Sequence, residues 1–287
     1  MNSINSSRKR MVSVVMVLVL AAAFWFACAG SVHAAATKTF YRPVKIKTTH
    51  TESGYKYSST EKRTYYANGL LKKESYGSDY SAEYKYNEKG YVSEIKSKSE
   101  GKVTGLYTVE FKDGIPATAV MMGINDNDEM AEESRIVLTY KNGVLSKEVV
   151  TYADGYKETN TYYPNGNRKK TKSNTSTATY NKKGDITKYS YTSTNGKEKN
   201  VETYKYTYKK GRVTKIVETD KNTINGKTTT IKRTTTYTYK LDKKGNVTKC
   251  TAKVTTKIGK KTYKSTNITT YKYKKFKVEK KYWKFMN

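Results

Sequence analysis

Lysine alternating with tyrosine is the pattern in this chain with the clearest chemical capacity. In Tyr204-Lys205-Tyr206-Thr207-Tyr208 the rings occupy every second position, with Lys205 and Thr207 between them. A pleated strand sends these two sets to opposite faces. Tyr271-Lys272-Tyr273-Lys274 repeats the arrangement. A lysine ammonium is a flexible point charge that meets phosphate without strict geometry. Lys205, Lys215, Lys249, Lys272 and Lys274, taken from the most regular stretches, are therefore the candidate contacts for an anionic polymer. Adjacent strands lie about 4.8 Å apart, so several such strands assemble a broad array of cations. Binding of that kind is driven by counterion release and falls steeply with salt.

Other chemistries find little support. Beyond residue 34 the chain holds one histidine, His50, and one cysteine, Cys250. That excludes an internal disulfide and a Cys/His zinc cluster there, and leaves one histidine for any Ser–His–Asp arrangement. Cys250 reads as a small, half-buried strand residue. Asp113, Asp126, Asp154 and Glu202 are candidate carboxylates, but no spacing singles out a glycosidase pair. Met121 to Ser134 departs from the surrounding pattern, with acids at Asp126, Asp128, Glu129, Glu132 and Glu133. Asp126 or Asn127 suits the cap of a short helix over residues 128–134. A calcium loop is the sharper alternative, because Asp126 and Asp128 are two apart. The glycine and distal glutamate of an EF-hand loop are not in place. No catalytic residue, metal ligand or cofactor is assigned.

The elements that carry the lysines are hairpins. After Tyr208, Lys209-Lys210-Gly211 reverses the chain and Val213-Thr214-Lys215 begins the return. The unit recurs as an aromatic, two or three polar residues, glycine, any residue, an aliphatic, Ser/Thr and Lys. Copies include Tyr140 to Lys147, Tyr180 to Lys188 and Leu241 to Lys249. Asn195-Gly196 and Asn225-Gly226 mark further hairpin turns between units. The aromatic before each turn can meet the aliphatic after it across the hairpin. A single hairpin is marginal alone, so the copies must pair laterally. The expected fold is all-β: an antiparallel meander of repeated hairpins in an extended, possibly rolled, sheet, with turns near Gly69, Gly90, Gly143, Gly184, Gly211 and Gly245. Residues 37–50 read as a loose lead-in or a first edge strand. The C-terminus reads as a final strand or pair of strands whose phase changes at Lys274-Lys275.

The first residues read differently. Arg8, Lys9 and Arg10 precede an apolar run from Met11 to Gly30, then Ser31-Val32-His33-Ala34-Ala35. This is the pattern of an N-terminal signal helix cut after Ala34, with a cut after Ala36 as the alternative. An uncleaved membrane anchor competes, because about 20 apolar residues span a bilayer. Either reading exports the remainder. Three domains follow: a signal peptide at 1–34, a lead-in at 35–50 and a hairpin-repeat domain at 51–287. Removing Arg8, Lys9 and Arg10 takes the formal net charge from +31 to +28. High charge with few aliphatics ordinarily signals disorder. Here 28 tyrosines, spaced in phase, and only three prolines favour an ordered, thin-cored β protein.

Tyr204 to Lys215 and Leu241 to Lys249 resemble the tyrosine–aspartate hairpin repeats (YD/Rhs type) of secreted bacterial proteins. Tyr65-Tyr66-Ala67-Asn68-Gly69 and Tyr162-Tyr163-Pro164-Asn165-Gly166 are similar to the short repeats of MORN-variant proteins. Together the likeness spans about residues 51–275. It implies exported β-hairpin architecture and carries over no catalytic residue. The function expected is that of a non-enzymatic, strongly basic, secreted or envelope-associated protein. Its partner is an anionic cell-wall polymer such as teichoic acid or another anionic glycan. The alternatives are a structural or adhesive surface protein and an extracellular nucleic-acid binder. Membrane contact is expected only through an uncleaved N-terminal segment.

Overall fold

The computed structural model describes residues 37–52, 54–125 and 127–286. The signal helix, its cut after Ala34, and Asp126 lie outside them. Among the described residues eighteen strands form one sheet. β1 (Thr37–Glu52) and β2 (Tyr55–Tyr65) begin it, and β3 (Leu71–Tyr76), β4 (Tyr80–Tyr86), β5 (Val92–Ser99) and β6 (Lys102–Lys112) follow. Next come β7 (Ile115–Ile124), β8 (Met130–Lys141), β9 (Val144–Tyr152), β10 (Lys157–Tyr162), β11 (Arg168–Ser173) and β12 (Ser176–Tyr180). β13 (Ile186–Asn195), β14 (Glu198–Lys209), β15 (Arg212–Ile224), β16 (Lys227–Leu241), β17 (Val247–Ile258) and β18 (Lys261–Glu279) complete the sheet. A short 3-10 helix, Lys280–Phe285, ends the described chain.

Each strand pairs antiparallel with the next, as the meander requires. β18 then pairs with β1 from Thr37↔Glu279 to Glu52↔Ser265. The sheet is therefore a closed barrel, and the extended, possibly rolled, sheet expected from sequence is corrected. Residues 37–52 are no edge: β1 pairs with β2 on one side and β18 on the other. Closure removes both edges of the sheet, so no strand is left as a template for another chain.

The cause of the curvature lies in the repeated unit. At the rim where the chain enters β1 and leaves β18, here called the terminal rim, every hairpin shifts register at its aromatic or leucine. These residues are Tyr65, Tyr86, Phe111, Tyr140, Tyr162, Tyr180, Tyr208 and Leu241. Tyr208 pairs with Val213 and Thr207 with Lys215, so Thr214 is the extra residue of a β-bulge. Its hydroxyl donates back to the Thr207 carbonyl at 3.2 Å. Ser146, Thr187 and Thr248 do the same to Thr139, Tyr180's neighbour Thr179, and Lys240. The Ser/Thr of the sequence unit is thus the bulge residue. Bulges bend the strand and increase twist, and repeating them around one rim coils the sheet toward closure.

Tyrosine hydroxyls complete the same rim. The β13–β14 ladder starts at Lys188↔Lys205, leaving the Ile186 carbonyl beyond it. Tyr208 Oη donates to that carbonyl at 2.9 Å. Tyr65, Tyr86, Tyr239 and Tyr273 reach Pro43, Leu71, Val213 and Val247 in the same way. Each bond supplies a partner to a carbonyl that the splayed ladder leaves without one, at a net gain of about 1 kcal/mol. Two-residue turns such as Asn142-Gly143 and Lys210-Gly211 have φ > 0 at both positions, the geometry that matches strand twist.

Burial is uneven. Ala82, Tyr84, Ile95, Tyr107, Ala119 and Met121 form a buried cluster on β4–β7. Leu70, Val278 and Met286 form a second at the terminal rim, joined by Tyr282, Trp283 and Phe285. The rings of Tyr204, Tyr206 and Tyr208 share one half-buried face, whereas Lys205 and Thr207 are exposed. The tyrosine face is the inner one. Barrels of this strand number keep a wide interior, consistent with rings that are covered only in part. The short helix expected over residues 128–134 does not form. Asn125 accepts amide protons from Asn127 and Glu129 in a tight turn, and β8 starts at Met130. Pairing with β7 overrides the local capping signal.

Candidate polyanion-binding surface

The inner and outer faces carry opposite charge. Along β13–β17 the strand carboxylates Glu198, Glu202, Glu218 and Asp220 share the tyrosine phase, so they face inward. Lys188, Lys205, Lys215, Lys232, Lys249 and Lys253 take the other phase, interleaved with threonine. The five candidate lysines lie together on the outer face of β14–β18, in the half nearest the terminal rim. Lys205, Lys215, Lys272 and Lys274 are exposed and Lys249 is half-buried. The structure therefore brings together what the alternation singled out.

The register adds a feature invisible in the chain. Lys205 lies directly opposite Lys188, Lys249 opposite Lys240 and Lys272 opposite Lys45. Lys232 and Lys257 form another such pair. Like charges facing each other across a ladder are destabilising. Outer-face ion pairs such as Lys73–Glu83 and Lys85–Glu94 lie on β3–β5. The β13–β18 wall is also unsuited to lipid. A membrane-spanning barrel shows an outward apolar band about 25 Å tall, whereas this wall alternates lysine with threonine.

The interior charges form clusters that the sequence reading missed. Arg63 contacts Glu61 and lies 3.7 Å from Glu74, which accepts the Tyr84 hydroxyl at 2.5 Å. Glu148 accepts from Asn160 at 2.8 Å and from Tyr162 at 3.0 Å, with Arg168 at 3.9 Å. Arg233 donates to both oxygens of Glu218 at 2.8 Å. Burial holds the Glu61 and Glu158 carboxyls above their ordinary range, with Arg63 and Asn160 partly offsetting it. Burial likewise pushes the Tyr84 and Tyr162 phenols well up, and the neighbouring carboxylates add to it. These groups lock the inner wall. Their signal in the sequence was arginine, in a lysine-rich chain, at positions in phase with tyrosine. Cys250 is half-buried on β17, beside Tyr239. Among the described residues no group of three His, Cys, Asp or Glu is placed to hold a metal ion.

Fold and surface together define a closed antiparallel barrel with a tyrosine-lined interior and a lysine-rich outer wall. No protein-family model and no curated protein matches the chain, so its likeness to YD/Rhs-type and MORN-variant repeats rests on short motifs. Among solved structures it is similar to a porin-like protein from Bacteroides uniformis ATCC 8492. That match covers 81% of this chain and 98% of the other, with 14% identity and a TM-score of 0.34. It is also similar to TcdB2-TccC3, over 70% of this chain and 14% of that one, with 12% identity and a TM-score of 0.29.

Proposed function

We propose that this is an exported, non-enzymatic binding protein whose outer lysine wall holds an anionic cell-envelope polymer, teichoic acid or another anionic glycan. The observation that carries the reading is the set of like-charge pairs across the ladders, Lys188↔Lys205 and Lys240↔Lys249 above all. Such pairs cost stability in the free barrel, and a polyanion lying along the wall converts each into a phosphate clamp. Segregation of the β13–β17 carboxylates to the interior removes competing anions from the wall. Solubility alone needs a net charge of only about 2–8 on a small domain, well below +31.

The test replaces Lys205, Lys215, Lys249, Lys272 and Lys274 by glutamate and measures retention on host cell walls with and without their phosphate polymers. Between about 0.05 and 0.2 M salt the unaltered protein loses retention by orders of magnitude, and the variant binds at least about tenfold more weakly at the lower salt. Equal retention of both proteins, or no effect of salt, overturns the reading. Retention that survives polymer removal and yields to added DNA transfers the wall to nucleic acid instead.

A further inference from the structure

The sequence Lys-Lys-Gly occurs at 182–184, 209–211 and 243–245. These are the turns β12–β13, β14–β15 and β16–β17, every second hairpin of this stretch, and all three lie side by side on the terminal rim. Neighbouring turns are two strands apart, about 10 Å. All six lysines are exposed. They form a comb of cations at this rim, beyond the wall lysines along the same strands.

The comb is held in place. Asn165 and Asn167 both donate to the Lys182 carbonyl from the preceding turn. Arg212 donates to the Gly245 carbonyl at 3.1 Å, tying the second turn of the comb to the third. Asp242 accepts the amides of Lys244 and Asn246, fixing the third turn itself. The comb also adjoins the point where the N-terminal residues join. Thr37 opens β1 on this rim, opposite Glu279. Lys244 Nζ sits 4.2 Å above the Tyr41 ring of the same strand. Thirty-six residues precede Thr37, and they include the apolar run from Met11 to Gly30.

We propose that the terminal rim docks on an anionic lipid surface, with Lys182, Lys183, Lys209, Lys210, Lys243 and Lys244 contacting the phosphate headgroups. Where the apolar run is retained as the uncleaved anchor, its connection through Thr37 places the comb on the side of the barrel that faces the bilayer. Juxtamembrane lysines each add attraction to anionic lipid that decays within a Debye length. The barrel then stands on its terminal rim and leaves the lysine wall free for polymer.

Lysine acylation footprinting of the full chain tests this on vesicles of phosphatidylcholine alone and of phosphatidylcholine with phosphatidylglycerol. With phosphatidylglycerol, labelling of Lys183, Lys210 and Lys244 falls several-fold. Lys197 and Lys260, exposed on the opposite rim, keep their labelling, and so does Lys205 on the wall. Equal protection on both rims overturns the proposal. Equal protection on neutral vesicles does so too, because the apolar run alone then accounts for it. A soluble phosphate polymer in place of vesicles protects Lys205 and Lys272 first. Loss of that wall protection counts against the polymer reading and leaves the rim result standing.

Discussion

Replacing Arg168 by methionine lowers the stability of the barrel by about 3–5 kcal/mol, the cost of leaving a buried ion without its partner. Arg168 is 6% exposed, as is Glu148, and Asn160 between them is 1% exposed. Burial penalises the Arg168 charge, and Tyr162 with Glu148 more than offsets that penalty, so the guanidinium stays charged. Without it, Glu148 keeps the Asn160 and Tyr162 hydrogen bonds but no cation. Methionine retains most of the volume, so the loss reports charge rather than cavity. Urea unfolding midpoints measure it. Adding Glu148→Gln to Arg168→Met recovers part of the loss. Arg135, paired with Glu132 on the exposed face at 2.7 Å, is the control, and its removal costs under about 1 kcal/mol. A loss at Arg168 no larger than at Arg135 contradicts the assignment of these clusters to the inner wall.

Gly90→Ala is the second large effect. Gly90 has φ +82, and a Cβ there falls 2.6 Å from a Phe285 ring carbon and 3.0 Å from one of Tyr282. The left-handed backbone costs an L-residue about 1–2 kcal/mol, and overpacking adds about 1–3 kcal/mol. Gly143→Ala separates the two, because Gly143 has φ +73 with nothing within 4 Å of the built Cβ. The excess loss at Gly90 is the grip of the C-terminal helix on the rim. That helix is held further by the Trp283 indole on the Val278 carbonyl at 2.8 Å and by Arg42 on the Met286 carbonyl at 2.7 Å. Gly90→Ala therefore speeds exchange of the Trp283 indole proton, and Gly143→Ala does not. Equal exchange in the two variants removes the clamp from the account.

The turns and the tyrosine phase were legible because each rests on a local rule. Gly69, Gly90, Gly143, Gly184, Gly211 and Gly245 all have φ > 0, and alternation needs only a pleat. The lysine face followed from the same alternation. Closure was not legible. It depends on bulge twist summed over many hairpins, and on β1, whose Thr/Lys-rich sequence lacks the tyrosine repeat. The roles of Thr214 and Thr248 were written in the unit, but their meaning needs the register shift beside them. Arg63, Arg168 and Arg233 passed unremarked because a charge at a tyrosine-phase position acquires significance only once that phase turns inward. The acidic stretch after Met121 misled because capping residues serve a tight turn as well as a helix.

Closure makes one face of the sheet an interior and the other a wall. Thr48 on β1 and Thr269 on β18 are ladder partners with their hydroxyl oxygens 3.2 Å apart. In an open meander of 18 strands they would mark opposite edges, about 80 Å apart at the usual strand spacing. Thr48→Cys with Thr269→Cys, in a Cys250→Ser background because Cys250 flanks Thr269 from β17, reads this out under mild oxidation. Closure predicts a rapid disulfide within one chain at every protein concentration. Cysteines that stay free, or that join only between chains as concentration rises, contradict it.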